Sequence, residues 1–320
     1  MNEPTMTTPT KAPELINIEQ DCIGGHAAHW QLLSGQPNQD VPKWLQLALN
    51  NAHMPYGLNT DNQSLPQDTW LINGPEQALQ ITQLIEIDDA QKPVRLMSAF
   101  PIISSPYTVQ GKISRIMCCR NIMQAVLNIT TNNGATIYAF DNLFSVNQHQ
   151  YKQDQVYRIN LGGFAYNLEK VKSGETLVVD DPAAIKHHRA LNDILVKNNG
   201  VAPENLQAQI ADWQPTSSDD EAPVTVDLSK MVAYLYGDHL GQEDEAWFQG
   251  EIIGLSQTVF MDQTVDLIDA SIIREQDSQP VIIRLAYLNQ DKVPSSFQVG
   301  DYIRGNIWIQ ATIYATNNDG

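Results

Sequence analysis

The chain has 320 residues, 42% of them hydrophobic and 18% charged, which is apolar enough for two modest cores and too apolar for a disordered polymer. Its 37 acidic and 19 basic residues give a formal charge of -18, which repels polyanions over most of the surface. Only three cysteines occur, Cys22, Cys118 and Cys119, so a disulfide framework is excluded, and no run of eighteen apolar residues is present to cross a membrane as a helix.

From the start of the chain, Met1 to Pro13 is rich in Thr and Pro, with neither a basic start nor an apolar stretch, and reads as a frayed tail rather than a signal peptide. The cytoplasm is the expected compartment. Cys22, His26 and His29, with Asp21 beside them, bring together ligand types that a zinc site uses, but the usual second pair is missing and Gly24-Gly25 intervenes. They read as ordinary helix-start residues, and no metal or cofactor is expected. Asp40 and Pro42, followed by Trp44, Leu45, Leu47, Ala48 and Leu49, mark a capped helix. Pro75 followed by Leu79, Ile81, Leu84 and Ile85 marks a second one. Residues 1–91 are therefore expected to form a small mixed α/β region.

Residues 92–171 and 231–316 correspond to each other. Gln110-Gly111-Lys112-Ile113 matches Gln249-Gly250-Glu251-Ile252 at an offset of 139, which also pairs Gln124 with Gln263, Val126 with Val265 and Ile129 with Ile268. Further on the offset is 146, pairing Ile137 with Ile283, Tyr151 with Phe297, Arg158 with Arg304, Asn160 with Asn306 and Ala165 with Ala311. A longer hairpin around Asp269 to Glu275, between the second and third strands, is expected to absorb the difference.

Both stretches alternate with period two. Tyr157, Ile159, Leu161 and Ala165 share one face of a strand, with Arg158, Asn160, Phe164 and Tyr166 on the other. In the second stretch Ile303, Ile307, Ile309, Ala311 and Ile313 face inward, opposite Tyr302, Arg304, Asn306, Trp308, Gln310, Thr312 and Tyr314. An earlier strand in each, Val94 to Ser98 and Val232 to Tyr236, brings the number to five. Five short strands, a glycine in the long first strand (Gly111, Gly250) and Phe297-Gln298-Val299-Gly300-Asp301 leading into Tyr302-Ile303-Arg304-Gly305 resemble an OB-fold barrel. The resemblance is to a fold, over about half the chain. Two features depart from it: no helix is evident between the third and fourth strands, and the extra strand precedes the first. A permuted barrel or a small sandwich is the alternative.

The expected fold class is thus mainly β with helical segments (α+β): two diverged five-stranded OB-like barrels, the mixed region 1–91, and a linker at 172–230. In that linker Asp181 and Pro182 open a helix striped by Ile185, His188, Leu191 and Leu195 and ending before Gly200. A second helix runs from Pro203 to about Trp213, followed by a flexible acidic stretch from Pro215 to Pro223.

Charge is segregated: residues 92–171 carry +5, against -9 for 1–91, -5 for 172–230 and -8 for 231–316. In the basic module Lys112, Arg115, Arg120, Lys152 and Arg158, with Tyr138, Phe140, Phe164 and Tyr166 as stacking faces, are the ingredients for single-stranded nucleic acid. The alternative is that this surface is neutralised by acidic parts of the same chain or by a protein partner. The repeated Arg158-x-Asn160 and Arg304-x-Asn306 read as a ligand-reading pair or as a hydrogen-bonded brace, and Tyr302, Trp308 and Tyr314 as an aromatic ladder or as buried packing. The candidate ligand-binding residues are Lys112, Arg115, Arg158, Asn160, Phe164, Tyr166, Tyr302, Arg304, Asn306 and Trp308. His187-His188 and Asp180-Asp181 have no nucleophile at a recognisable spacing, and no phosphate loop is present. The expected function is non-enzymatic binding or assembly, with a protein partner or self-association. Single-stranded nucleic-acid binding through the basic module is the alternative, and an unrecognised enzyme the third reading.

Overall fold

The computed structural model describes residues 14–19, 29–54, 65, 68–119, 123–237, 239–274, 279–288 and 297–314. The tail before residue 14, Cys22, His26 and Arg120 lie outside the described residues. In chain order the elements are β1 (Ile18–Glu19), a 3-10 turn (Trp30–Leu32), α1 (Pro37–Asn50), β2 (Thr69–Gly74), β3 (Leu79–Ile87), β4 (Pro93–Ile103), β5 (Thr108–Cys118), β6 (Ala125–Thr131), β7 (Thr136–Asp141), α2 (Phe144–Asn147) and β8 (Val156–Ala165). There follow β9 (Glu169–Lys170), β10 (Thr176–Val179), α3 (Pro182–Lys197), α4 (Leu206–Asp212), a second 3-10 turn (Ser218–Glu221), β11 (Val224–Asp227), β12 (Ala233–Tyr236), β13 (Glu245–Phe260), β14 (Gln263–Ile273), β15 (Val281–Tyr287) and β16 (Tyr302–Ile313). The protein is mainly β with few helices, and its sheets are large and partly closed.

Two compact units result, one of residues 1–170 with 232–320 and one of residues 171–231. In the larger unit β5, β6 and β7 form a meander, β7 runs parallel to β16, β16 is antiparallel to β8, and β8 returns antiparallel to β5. The later strands repeat this circuit: β13, β14 and β15 form a meander, β15 runs parallel to β8, and β16 returns to β13. Each circuit is a five-strand ring. Strands β8 and β16 belong to both rings, so each half closes with the last strand of the other.

The registers of the two rings agree residue for residue at their seams. Gln110 stands opposite Arg158 as Gln249 stands opposite Arg304, and Phe164 opposite Ala286 as Gln310 opposite Phe140. Both first strands have a bulge at the same place, between Ile113 and Arg115 and between Ile252 and Gly254. In the second strands the correspondence differs from the sequence expectation. Ile129 faces Ile113 while Ala270 faces Ile252, an offset of 141 rather than 139. A slip of two residues leaves every side chain on its original face, so the hydrophobic pattern is blind to it.

The inward sets converge in one apolar cluster running through both rings, which includes Ile129, Ile159, Leu161, Ile268, Leu285, Ile303, Ile309 and Ile313. Each such side chain contributes about 1.5–3 kcal/mol on burial, so neither ring is filled without the other.

A three-stranded sheet, β2-β3-β4, and helix α1 cover the outer face of the shared strands, with Trp44, Ile81, Phe100 and Ile103 packing onto Phe140, Phe164 and Trp308. Here three expectations change. The helix after Pro75 is strand β3, nearly all of whose side chains are buried. Its polar residues Gln80, Thr82 and Gln83 are buried along with the apolar ones, so no outward face is marked, and the spacing of its apolar residues imitates a helix. The strand at 94–98 is part of β4 and pairs with β3, whereas 233–236 pairs with β13, so these two strands are not equivalent. A short helix, α2, does separate the third and fourth strands of the first half.

In the smaller unit, α3 starts at Pro182, with the Asp181 carboxylate accepting the Ala184 N–H at 2.7 Å, and Gly200 follows its end at φ +84°. Ala190, Ile194 and Ile210 join α3 to α4, and β10 pairs with β11. The acidic stretch contains a 3-10 turn held by the Asp220 carboxylate, which accepts the N–H groups of Thr216 and Ser217 at 2.8 and 3.0 Å.

Candidate functional site

Of the basic residues singled out from sequence, Lys112, Arg115 and Arg158 are partly or fully exposed on β5 and β8, and two of them are committed to acidic neighbours. Lys112 Nζ is 3.2 Å from Asp154, and Arg115 Nε is 2.6 Å from Glu19 of β1. Arg158 is exposed on β8. Its counterpart Arg304 meets Glu169 of β9 at 2.5 Å. In the second ring Tyr302 donates to Glu251 at 3.3 Å, and Asn306 receives a brace from Asn167, whose side-chain oxygen accepts the Asn306 backbone N–H at 2.9 Å.

Phe164 and Trp308, expected on an outward face, are fully buried. They do face out of the rings, but the three-stranded sheet and α1 lie over them, so the face that alternation marks as external becomes a second core. Phe164 stacks on Trp308 at 5.5 Å between ring centroids, and the Trp308 indole donates to Asp244 at 2.8 Å. The Tyr166 hydroxyl sits between His29 Nδ1, at 2.7 Å, and Glu245, and burial first, then Glu245, pushes its pKa well up. Tyr302, Trp308 and Tyr314 therefore share no exposed ladder. Among the described residues no group of three or more His, Cys, Asp or Glu side chains is placed to hold a metal ion, and no helix is long and apolar enough to cross a membrane.

Asn160 leads to a different place. Its side-chain N–H donates to the Ser105 carbonyl at 2.6 Å, and it lines a cleft of about 700 Å³. The cleft opens where the end of β4 meets β8. Gly162 makes that approach possible, because a Cβ there would stand 2.6 Å from the Ile103 side chain. The walls come from the β2–β3 turn and the start of β3, the end of β4, the residues just before α2, the middle of β8 and the end of β16. His53 is pinned beside them by a backbone bridge to Asn73, at 2.8 and 2.9 Å.

Three buried acceptor-capable atoms in this lining have no hydrogen-bond partner: Asn142 Oδ1, Asn160 Oδ1 and His53 Nδ1. Asn142 is 4% exposed, and its amide N–H donates to the Thr312 hydroxyl at 3.0 Å. Because the Ser105 carbonyl can only accept, the Asn160 amide is held with its nitrogen toward it. Glu76 and Gln77 stand exposed at the rim, and among the described residues no Lys or Arg lines the cleft, although Arg158 interacts electrostatically with Tyr314 of its wall. Beside Asn142, the Asp141 carboxyl is buried, accepts from the Leu143 N–H at 2.9 Å and from Tyr151, and is pushed up to about 7 by desolvation.

Of the residues singled out from sequence, Asn160 and Tyr314 line this cleft, Thr312 is on the outward strand face where alternation puts it, and His53 and Asn142, which come from distant segments and carry no local motif, are not singled out. Comparison of the chain with protein-family models, curated proteins and solved structures gives no match, so the chemistry of this cleft bears on function by itself.

Proposed function

We propose that the protein is a non-enzymatic binding or assembly protein built on two OB-like barrels, with the cleft at Asn142 and Asn160 as its ligand site. The barrel reading is supported by the circuit of each ring: a three-strand meander, a third strand parallel to the fifth, and a fourth that returns to the first. Here the fifth strand of each barrel is the fourth of the other, an arrangement that duplication of one module accounts for.

The observation that carries the binding reading is the cleft itself, about 700 Å³ and lined by Asn142, Asn160, Gln77 and Thr312 beside Ile102 and Tyr314. A cleft of several hundred Å³ with a few convergent polar groups is what a small-molecule site requires. Saturation-transfer NMR of the whole chain against a fragment library tests it. Compounds whose signal disappears in Asn142→Leu support the reading; a library with no cleft-dependent binder refutes it.

A protein partner or a second copy is the assembly side of the same proposal. Strand β12 ends the large sheet and exposes Leu235 at 54% and Tyr236 at 43%, a free edge that a further strand can extend.

A further inference from the structure

We infer that strand β12 takes an extended, basic segment of a partner protein as a further strand of the large sheet. This deepens the assembly side of the proposed function and rests on it, independently of the cleft.

The backbone of β12 has a definite free side. On β13, Asp244 and Ile252 turn their backbone groups toward β16 and the residue before it: the Asp244 carbonyl accepts from the Ile309 N–H at 2.9 Å, and the Ile252 N–H donates to the Asp301 carbonyl at 2.8 Å. Orientation alternates along a strand, so Trp247 and Gln249 point the other way, to Leu235 and Ala233, their partners in the antiparallel β12–β13 pair. Tyr234 and Tyr236, with Val232 just before the strand, therefore direct their N–H and C=O groups away from β13. Strand β12 is last in the order of the sheet, and among the described residues no strand pairs with that side.

Nothing in the sequence blunts this edge. Residues 231–237 include neither a charged residue nor a proline, whereas the strand at the opposite end of the sheet, β1, is two residues long and carries Glu19. Charge, proline and short length are the usual protection of a sheet edge against further pairing, and β12 has neither of the first two. Leu235 and Tyr236, on opposite faces of the strand, are both exposed.

A pocket of about 240 Å³ adjoins the edge. One wall is Val232, Tyr234 and Tyr236, the three residues whose backbone groups are free, and the other includes Thr136, Ile272 and Ile273. In strand addition the main-chain hydrogen bonds supply affinity, and pockets for alternate side chains supply selectivity. This pocket has room for an aliphatic side chain of the added strand.

The sign of the partner follows from charge. Residues 231–316 carry -8 and the whole chain -18, and the stretch leading from β12 into β13 contains Asp238, Glu243, Asp244 and Glu245. Arg274, the cation of the pocket lining, is already matched by Glu251 at 2.7 Å. A second copy of the chain would bring the same excess of acid to the interface, while a segment with Lys or Arg on its outward face meets the opposite sign.

The test uses the full chain and three fluorescein-labelled hexapeptides, read by fluorescence anisotropy at physiological salt: alternating lysine and valine, alternating glutamate and valine, and the lysine peptide methylated at every backbone nitrogen. The methylated peptide keeps charge and side chains but donates no strand hydrogen bond. The unmethylated lysine peptide is expected to bind at least tenfold more tightly than either of the others. Tyr236→Pro removes an outward N–H and leaves the β12–β13 bonds in place, and is expected to weaken that binding at least tenfold. Tyr236→Val keeps the N–H and is expected to stay within threefold of the parent chain, with circular dichroism confirming that both variants are folded. Equal binding of the methylated peptide would reduce the effect to charge alone and overturn the inference. If the glutamate peptide binds best, or if light scattering shows a dimer that Tyr236→Pro dissociates, the edge is an assembly surface and the basic partner is wrong. If no peptide binds and the chain is a monomer, the inference and the assembly reading both fall, while the cleft is judged by its own fragment screen.

Discussion

Gly163 and Ile309 stand opposite each other in the β8–β16 pair, and they are also the residues that correspond at the 146-residue offset between the two halves. A local two-fold therefore passes between them. On either side the contacts are images of each other, Gln310 with Ala311 reaching β7 as Phe164 reaches β15. This place is also tightly closed, since a Cβ on Gly163 would stand 2.5 Å from the Trp308 carbonyl oxygen, a backbone atom with little room to shift. Gly163→Ala is expected to cost about 1–3 kcal/mol, the usual range for overpacking. Urea unfolding with an unchanged slope and a lowered midpoint checks it; a midpoint equal to that of the parent chain would mean the shared strands are not packed as described.

The buried Asp141 gives the protein a specific pH dependence. Desolvation, opposed by hydrogen bonds from Tyr151 and the Leu143 N–H, raises its folded value to about 7 from 3.8. Between those values the folded state holds a proton that the unfolded state has released, so this group's stabilising contribution is complete below 3.8 and is lost as pH rises toward 7. In Asp141→Asn that part of the pH dependence is removed. Melting temperatures from pH 4 to pH 8 should therefore decline less for the variant than for the parent chain across this window. Parallel curves would show that Asp141 ionises freely in the fold.

Single-stranded nucleic acid is the competing ligand, and it makes an opposite forecast. With Lys112 and Arg115 already facing Asp154 and Glu19, and a net charge of -18, retention on an oligonucleotide column is expected to be absent at physiological salt. Retention that falls steeply with salt, and vanishes when Lys112, Arg115 and Arg158 are all changed to Glu, would favour the nucleic-acid reading.

Much of the fold was legible because period-two alternation survives wherever one face of a strand is buried. The inward sets of β8 and β16 lie in the core as the alternation predicts. The pattern failed where both faces are buried, as in β3, and at Phe164 and Trp308, whose outward faces are covered by a layer that no local signal announces. It was also blind to the exchange of last strands, because pairing partners leave no mark on a strand's own periodicity. In the cleft, Asn160 stands out in the sequence through its repeat partner Asn306, but its place there depends on a hydrogen bond to the Ser105 carbonyl that the pattern does not announce. His53 and Asn142 were beyond reach for the reason that applies to most clefts: the residues meet in space from segments far apart in sequence.

The exchange of strands is most directly tested with residues 92–171 expressed alone and examined by circular dichroism together with light scattering. That stretch contains β5 to β8 and lacks β16, which closes its ring. A fragment that is unfolded, or that folds only by pairing with a second copy of itself, is the predicted result. A cooperatively folded monomer would contradict it, because the first ring would then close without help from the other half.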